Sequence, residues 1–391
     1  MQRSTARILT THAGSLPRPA DLLEMARRPE RGDTYAARVK RAVADVVREQ
    51  VQHGLDVIDD GEMSKPSFIT YVTERLSGFA PSTEPGTLPW AGSKEVTAFP
   101  EFYAPMLRES PNAAAPRFAC TGPITYVGQA QVQTDIANLK AALAGVTAAE
   151  AFIPAISPSN VEGRQKNVYY KTNEEYLFAI AEAMHEEYKA IVDAGFLLQI
   201  DDPRLVTYYI ASPTSTVAEC RQWALARVEA LNHALRGIPR DRVRFHTCYS
   251  INMGPRVHDM ALKDIVDVIL KVNAGAYSFE AANPRHDHEW RVWEGVTLPE
   301  GALLIPGVIT QSTVLVEHPE LVADRIERFA SVAGRENVIA GADCGFATFA
   351  GSTEIHPSVA WAKLQALVDG AQIASRRLWG RAEARPPRRD P

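Results

Sequence analysis

Three short segments of the sequence carry residue types that bind soft metal ions. FHTCYS (245–250) places His246 and Cys248 two apart. On a β-strand that spacing sends both side chains to the same face. AYSFE (276–280) closes on Glu280, and NVIAGADCG (337–345) runs through to Cys344. Each segment is an apolar run that ends in a ligand-type residue. An imidazole, two thiolates and a carboxylate together suit Zn(II), which takes tetrahedral N/S/O sets. Each residue also has a bland reading. His246 and Cys248 are then core residues of a buried strand, Glu280 faces solvent or caps the next helix, and Cys344 is a buried thiol in a Gly-rich turn. Their coincidence at three strand ends favours the metal. A substrate thiol that displaced the weakest ligand, Glu280, would be held as thiolate at neutral pH and could attack an electrophilic carbon. The other two cysteines, Cys120 in RFACT and Cys220 in AECRQW, have no such company and read as packing. Four cysteines in 391 residues do not make a disulfide scaffold.

Two carboxylates end strand-like runs elsewhere: Glu62 in DVIDDGE (56–62) and Asp201 in QIDDP (199–203). They could pair with a cationic substrate group, or they could cap loops and form internal ion pairs.

The elements that must position these residues alternate along the chain. Strand-like runs lie near 7–11, 55–59, 117–121, 196–201, 243–248, 276–280, 303–307 and 337–341. Helical periodicity fills 35–53, 173–194, 217–236, 260–272, 320–333 and 357–378. Alternation of this kind means parallel strands with crossovers. The expected fold class is α/β, a single (β/α)8 TIM barrel with long insertions after strands 2 and 3. A ninth apolar run, FIPAI (152–156), is assigned to the insertion 126–172; a second insertion, 78–116, is rich in Pro, Ser and Gly. Barrel enzymes place their sites at the C-terminal ends of the strands, where the residues above fall. The barrel is expected to span 1–379, followed by a disordered Arg/Pro-rich tail, 380–391. Six arginines occur from Arg376 onward.

Composition narrows the partners. The net charge of −5, from 47 acidic and 42 basic residues, argues against nucleic-acid or membrane-surface binding. No run approaches the length of a membrane span. The start, MQRSTARILTT, lacks an apolar signal core, so the expected location is the cytoplasm. The expected partners are therefore small molecules, a thiol and an alkyl or methyl donor. Oligomeric state is open, since the aromatic block HEWRVWE (288–294) reads equally as a subunit contact, a lid or packing.

The spaced set His246-x-Cys248, Glu280 and Cys344 resembles the zinc-ligand pattern in the C-terminal catalytic barrel of cobalamin-independent methionine synthase. TTHAGSLPRP (10–19), DVIDDGE, TGPIT (121–125), QIDDP and DCG (343–345) extend the resemblance over about 7–379. It implies a zinc-dependent methyltransferase of methionine biosynthesis. It further implies that Ser15 contacts the homocysteine carboxylate and that Glu62 and Asp201, the catalytic candidates, hold its ammonium group. The double-barrel members add an N-terminal barrel that helps bind folate; this chain has no room for one, so folate use is open.

TGPITYVGQ (121–129), the block 278–301, EHPELVADRI (317–326) and VAWAKLQALVDGAQIAS (359–375) look like epoxyalkane:coenzyme M transferase. That resemblance implies the same metal with an epoxide as electrophile. Its thiol carries a sulfonate, which implies a cation near the site; Arg18, Lys65, Arg285, His286 and His288 are the candidates by position. Three readings follow: a zinc-dependent transferase that methylates or alkylates a homocysteine-type thiol, an epoxide-opening enzyme, and a barrel with structural zinc acting as a scaffold. The spread of the ligands over about a hundred residues favours an enzyme, because structural zinc usually staples local loops.

Overall fold

The computed structural model describes residues 1–28, 31–82, 91–109, 118–249, 254–352 and 355–380. The tail expected at 380–391 lies, beyond Gly380, outside the described residues, as do parts of the 78–116 insertion. Eleven strands are described: β1 Leu9–Thr10, β2 Val57–Ile58, β3 Phe79–Pro81, β4 Phe118–Cys120, β5 Glu150–Ile156, β6 Lys166–Asn167, β7 Leu197–Asp201, β8 Val243–Thr247, β9 Ala276–Phe279, β10 Leu303–Ile309 and β11 Ile339–Ala342.

Eight of them form one parallel sheet in the order β1-β11-β10-β9-β8-β7-β5-β2. Its two outer strands face each other: Asp56 N donates to Thr10 O (3.1 Å) and Thr11 Oγ1 donates to Val57 O (2.9 Å). The sheet is thus nearly closed, and helices surround it as in a (β/α)8 barrel. Strands covered on both faces read as continuous apolar runs rather than alternating ones. In β10, LLIPGVI, every residue is buried.

The barrel expected from sequence is present, but its third strand is a different one. FIPAI lies in β5, paired with both β2 and β7. RFACT forms β4, which pairs with β3 and β6 in a separate three-stranded sheet. Both runs are short, apolar and flanked by turn residues, so their local signals are equivalent. Pairing decides between them. β5 offers seven residues with five buried at its C-terminal end, while β4 offers three. The long stretch after β2 therefore carries β3 and β4. Its attachment to the barrel is a buried polar cluster. Glu187, on the helix Asn173–Asp193, accepts from Tyr71 Oη (2.8 Å), Tyr126 Oη (2.7 Å) and Arg75 (3.1 Å). Arg75 also pairs with Asp135.

The helices follow the expected positions at Asp33–His53, Asn173–Asp193, Val217–Ala234, Pro319–Ala333 and Pro357–Trp379. Start signals fix two of them: Thr172 caps Glu175 N, and Thr216 with Glu219 forms a reciprocal capping box. The helix expected over 260–272 is reduced to a 3-10 turn, Leu262–Asp264, and one helical turn, Val266–Ile269. There Leu262 N is taken by Glu289 Oε1 (2.8 Å), and Ile265 leaves helical geometry at φ −138°. Within the aromatic block 288–294, Glu289 and Trp293 are buried. Trp293 is 4% exposed, with its ring 4.8 Å from that of Phe279. No described helix is long and apolar enough to cross a membrane.

Candidate active site

The C-terminal ends of β8 and β11 bring His246, Cys248 and Cys344 together. Their ligand atoms all lie within 4.8 Å of one another, and all three side chains are buried. The alternation of β8 puts Arg244, His246 and Cys248 two apart on one face. Arg244 lies deepest, donating to Thr11 Oγ1 (3.0 Å) and His12 O (2.8 Å) with its guanidinium 4.0 Å over the Phe152 ring. Burial, aided by the charge of Arg244, pulls the His246 imidazole down to a pKa of about 3, so the ring is neutral. Its Nδ1 meets Ser278 Oγ at 3.0 Å, while Nε2 is buried and makes no hydrogen bond among the described residues. The Cys248 and Cys344 sulfurs are 3.3 Å apart. That is well beyond a disulfide bond of about 2.05 Å and within reach of one shared ion. A neutral imidazole oriented through its other nitrogen, with two thiols beside it, is a donor set that fits zinc.

Glu280 follows β9, and its carboxylate is not one of that triad. Oε1 accepts from Tyr249 N (2.7 Å), and Oε2 accepts from Arg256 Nη2 (2.9 Å) and Asn283 Nδ2 (2.5 Å). The loop after Glu280 is tied to the residue before Cys344. Asp343 Oδ1 accepts from Ala281 N (2.7 Å) and Ala282 N (2.8 Å), and its Oδ2 from Asn283 N (2.9 Å). Asp343, Asn283 and Arg256 were not candidates from sequence. The DCG motif contains Asp343; nothing in the sequence pointed to Arg256.

The second group lies at the ends of β1, β2 and β7. Ser15 is buried, and its O accepts from Phe346 N at 2.9 Å. A Cβ on Gly345 would meet Ser15 Oγ at 2.1 Å, so the loop carrying Cys344 and the loop carrying Ser15 touch at this glycine. Glu62 takes a left-handed backbone (φ 56°), which costs energy at a non-glycine position. Its Oε2 is 4.0 Å from Arg18 Nη2 and makes no hydrogen bond among the described residues. The Asp201 carboxylate takes one hydrogen bond among the described residues, from Gln199 Nε2 (2.7 Å). Burial raises the Asp201 carboxyl well above its usual range, the charge of Glu62 raises it further, and Lys65 partly offsets both. Two buried, under-bonded carboxylates of this kind favour a ligand that brings positive charge and N–H donors.

Four of the five cationic candidates are engaged by the protein itself. Arg18 donates to Ala347 O (2.7 Å), Glu62 O (2.8 Å) and Lys65 O (2.9 Å), stitching three loop segments together. Lys65 Nζ donates to Pro154 O and lies 4.5 Å over the Tyr71 ring. Arg285 is exposed and donates to Arg256 O (3.0 Å) and Val257 O (3.2 Å). His286 is clasped between Glu289 Oε2 (2.7 Å) and Asp259 Oδ2 (3.2 Å) and stacks on Tyr249 at 3.8 Å. Burial lowers its pKa, but those two carboxylates outweigh it and push the value up to about 9. His288 is exposed.

A family model, that of the cobalamin-independent synthase catalytic domain, matches residues 8–372. The chain belongs to this family. Among its relatives is a methionine synthase of Thermococcus kodakarensis, 26% identical over 94% of each chain. Another, of Saccharolobus solfataricus, is 26% identical over 94% of this chain and 95% of its own length. The chain and these two relatives thus match over nearly their whole lengths. Among solved structures, a B12-independent methionine synthase of Shewanella sp. W3-18-1, in complex with selenomethionine, has the same fold. It superposes with a TM-score of 0.75 at 20% identity, over 96% of this chain and 100% of its own. A second, from Listeria monocytogenes, gives 0.65 at 20% identity over 94% and 98%.

Proposed function

We propose that the chain is a zinc-dependent thiol S-methyltransferase of the methionine-synthase kind, with a homocysteine-type amino-acid thiol as acceptor. The observation that carries this reading is the convergence of the His246 imidazole and the Cys248 and Cys344 sulfurs inside a family of cobalamin-independent synthases. These three residues would hold the ion, with Glu280 as an exchangeable fourth ligand. Bound there, zinc supplies the charge that keeps a substrate thiol deprotonated at neutral pH.

The protein's own residues do the rest. Ser278 Oγ, bonded to Nδ1 of His246, leaves Nε2 without a hydrogen bond among the described residues and so available to the ion. Glu62 and Asp201 hold the substrate ammonium, and each gains an N–H donor that the free protein does not give it. Ser15 receives the substrate carboxylate, its position set by Leu16 N on Gly61 O (3.2 Å) and Phe346 N on its own carbonyl. Burial of every one of these side chains excludes water from the sulfur. In the transfer a sulfur–carbon bond forms and the donor keeps the electron pair of the bond that breaks.

Zinc-edge absorption of the zinc-loaded protein tests this reading. Homocysteine should add one sulfur ligand and coenzyme M should not. The reverse result would transfer the reading to a sulfonate thiol. A ligand set that neither thiol changes would make the zinc structural.

A further inference from the structure

A buried ion network outside the triad reaches it through one residue. Arg256 sits between two carboxylates, with Nη2 2.9 Å from Glu280 Oε2 and Nε 2.9 Å from Asp259 Oδ2. All three side chains are at most 4% exposed. The Arg256 backbone is left-handed (φ 58°), a conformation a bulky side chain adopts only when its surroundings impose it. Those surroundings are on view. Arg285 Nε donates to Arg256 O (3.0 Å), and the guanidinium lies 5.8 Å from the Tyr249 ring. On the far side Asp259 is held by His286, and His286 by Glu289.

We propose that Arg256 is a positioning residue that draws the Glu280 carboxylate off the His246–Cys248–Cys344 triad and so keeps one coordination position available to the substrate thiol. The inference rests on the metal reading above. Its physical basis is the asymmetry of the two carboxylates. If Glu280 swings to a metal ion, Arg256 keeps Asp259 and no buried cation is stranded. If Arg256 is removed, Glu280 loses its only ion-pair partner among the described residues and keeps only the neutral donors Tyr249 N and Asn283 Nδ2, and a buried charge so left is costly. An ion held by the triad would then supply a compensating charge. Arg256 and a metal ion therefore compete for one carboxylate, and the outcome sets whether the site is closed, as in structural zinc centres, or open, as in catalytic ones.

The test is a two-by-two cycle of Arg256→Met and Glu280→Gln in the full chain, read by zinc affinity in chelator competition and by homocysteine affinity of the zinc-loaded proteins. Arg256→Met should tighten zinc by about tenfold and weaken homocysteine by a similar factor, the scale expected of a residue one step removed from a metal. Glu280→Gln should loosen zinc in the parent by less than it does in the Arg256→Met background, where it should cancel the gain. Arg256→Lys, which keeps the cation, should stay near the parent in both readings and serves as the folding control. Zinc affinity that is unchanged, or that falls equally in both backgrounds, would overturn the role given to Arg256. Failure of the unaltered chain to take up zinc would instead overturn the metal reading, and this inference with it.

Discussion

At the ends of β8 and β11 the donors are one imidazole nitrogen and two sulfurs, set by strand geometry and the short turn after β11. At the ends of β1, β2 and β7 the donors are carboxylate oxygens, and one of them, Glu62, depends on a loop. That loop needs a left-handed residue at Glu62 and three carbonyls gathered by Arg18. Soft donors on rigid strands suit an ion that must be held in one place. Hard, under-bonded acceptors on a stitched loop suit an ammonium group that comes and goes. The two halves should therefore fail differently: the first all at once, the second by degrees.

The largest effect is expected where the triad is broken. Cys344→Ala should reduce bound zinc to a small fraction of one equivalent and abolish methyl transfer while the barrel stays folded. Metal analysis with circular dichroism checks this, and full zinc occupancy would remove Cys344 from the site. Next comes the acid half. Asp201→Asn should keep zinc near one equivalent and raise the KM for homocysteine by about 10- to 100-fold, the scale of a lost charged hydrogen bond. If zinc is lost as well, the two halves are not separable.

Gly345→Ala probes the seam between them. Its Cβ would collide with Ser15 Oγ, so that hydroxyl must turn away from its present position. We expect KM to rise by roughly tenfold, with less change in kcat. A parent-like KM would show that Ser15 does not bind the substrate carboxylate.

The smallest effect concerns the ion network beyond the triad. The folded pKa of His286, about 9, is above its ordinary value of 6.5. Its contribution to stability is thus complete below about pH 6.5 and is lost as pH rises through about 9. His286→Gln should lower Tm by a few degrees at pH 6 and leave it close to the parent at pH 10. An equal loss at both pH values would mean that packing on Tyr249, not the charge held by Asp259 and Glu289, is what the residue contributes.

Much of this was legible in the sequence, and the exceptions share a cause. His246 and Cys248 declare themselves because spacing on a strand is local, and their position at a strand end is local too. The exchange of FIPAI for RFACT as the third barrel strand was not legible, since a short apolar run does not say which neighbours it pairs with. Arg18 and His286 carried the right charge for an anion site. Only the fold shows that Arg18 is committed to carbonyls and His286 to carboxylates.

The sequence by itself determined the residue types of the site, the alternation that builds a barrel, and the strand ends at which ligands emerge. Those follow from periodicities of two and 3.6 residues, which one segment carries alone. Tertiary structure decided which strands close the barrel, that Cys344 meets Cys248 across 96 positions, and that Arg256 meets Glu280 rather than solvent. Those depend on contacts between segments far apart in the chain, and a distance across a barrel is not written in any one of them.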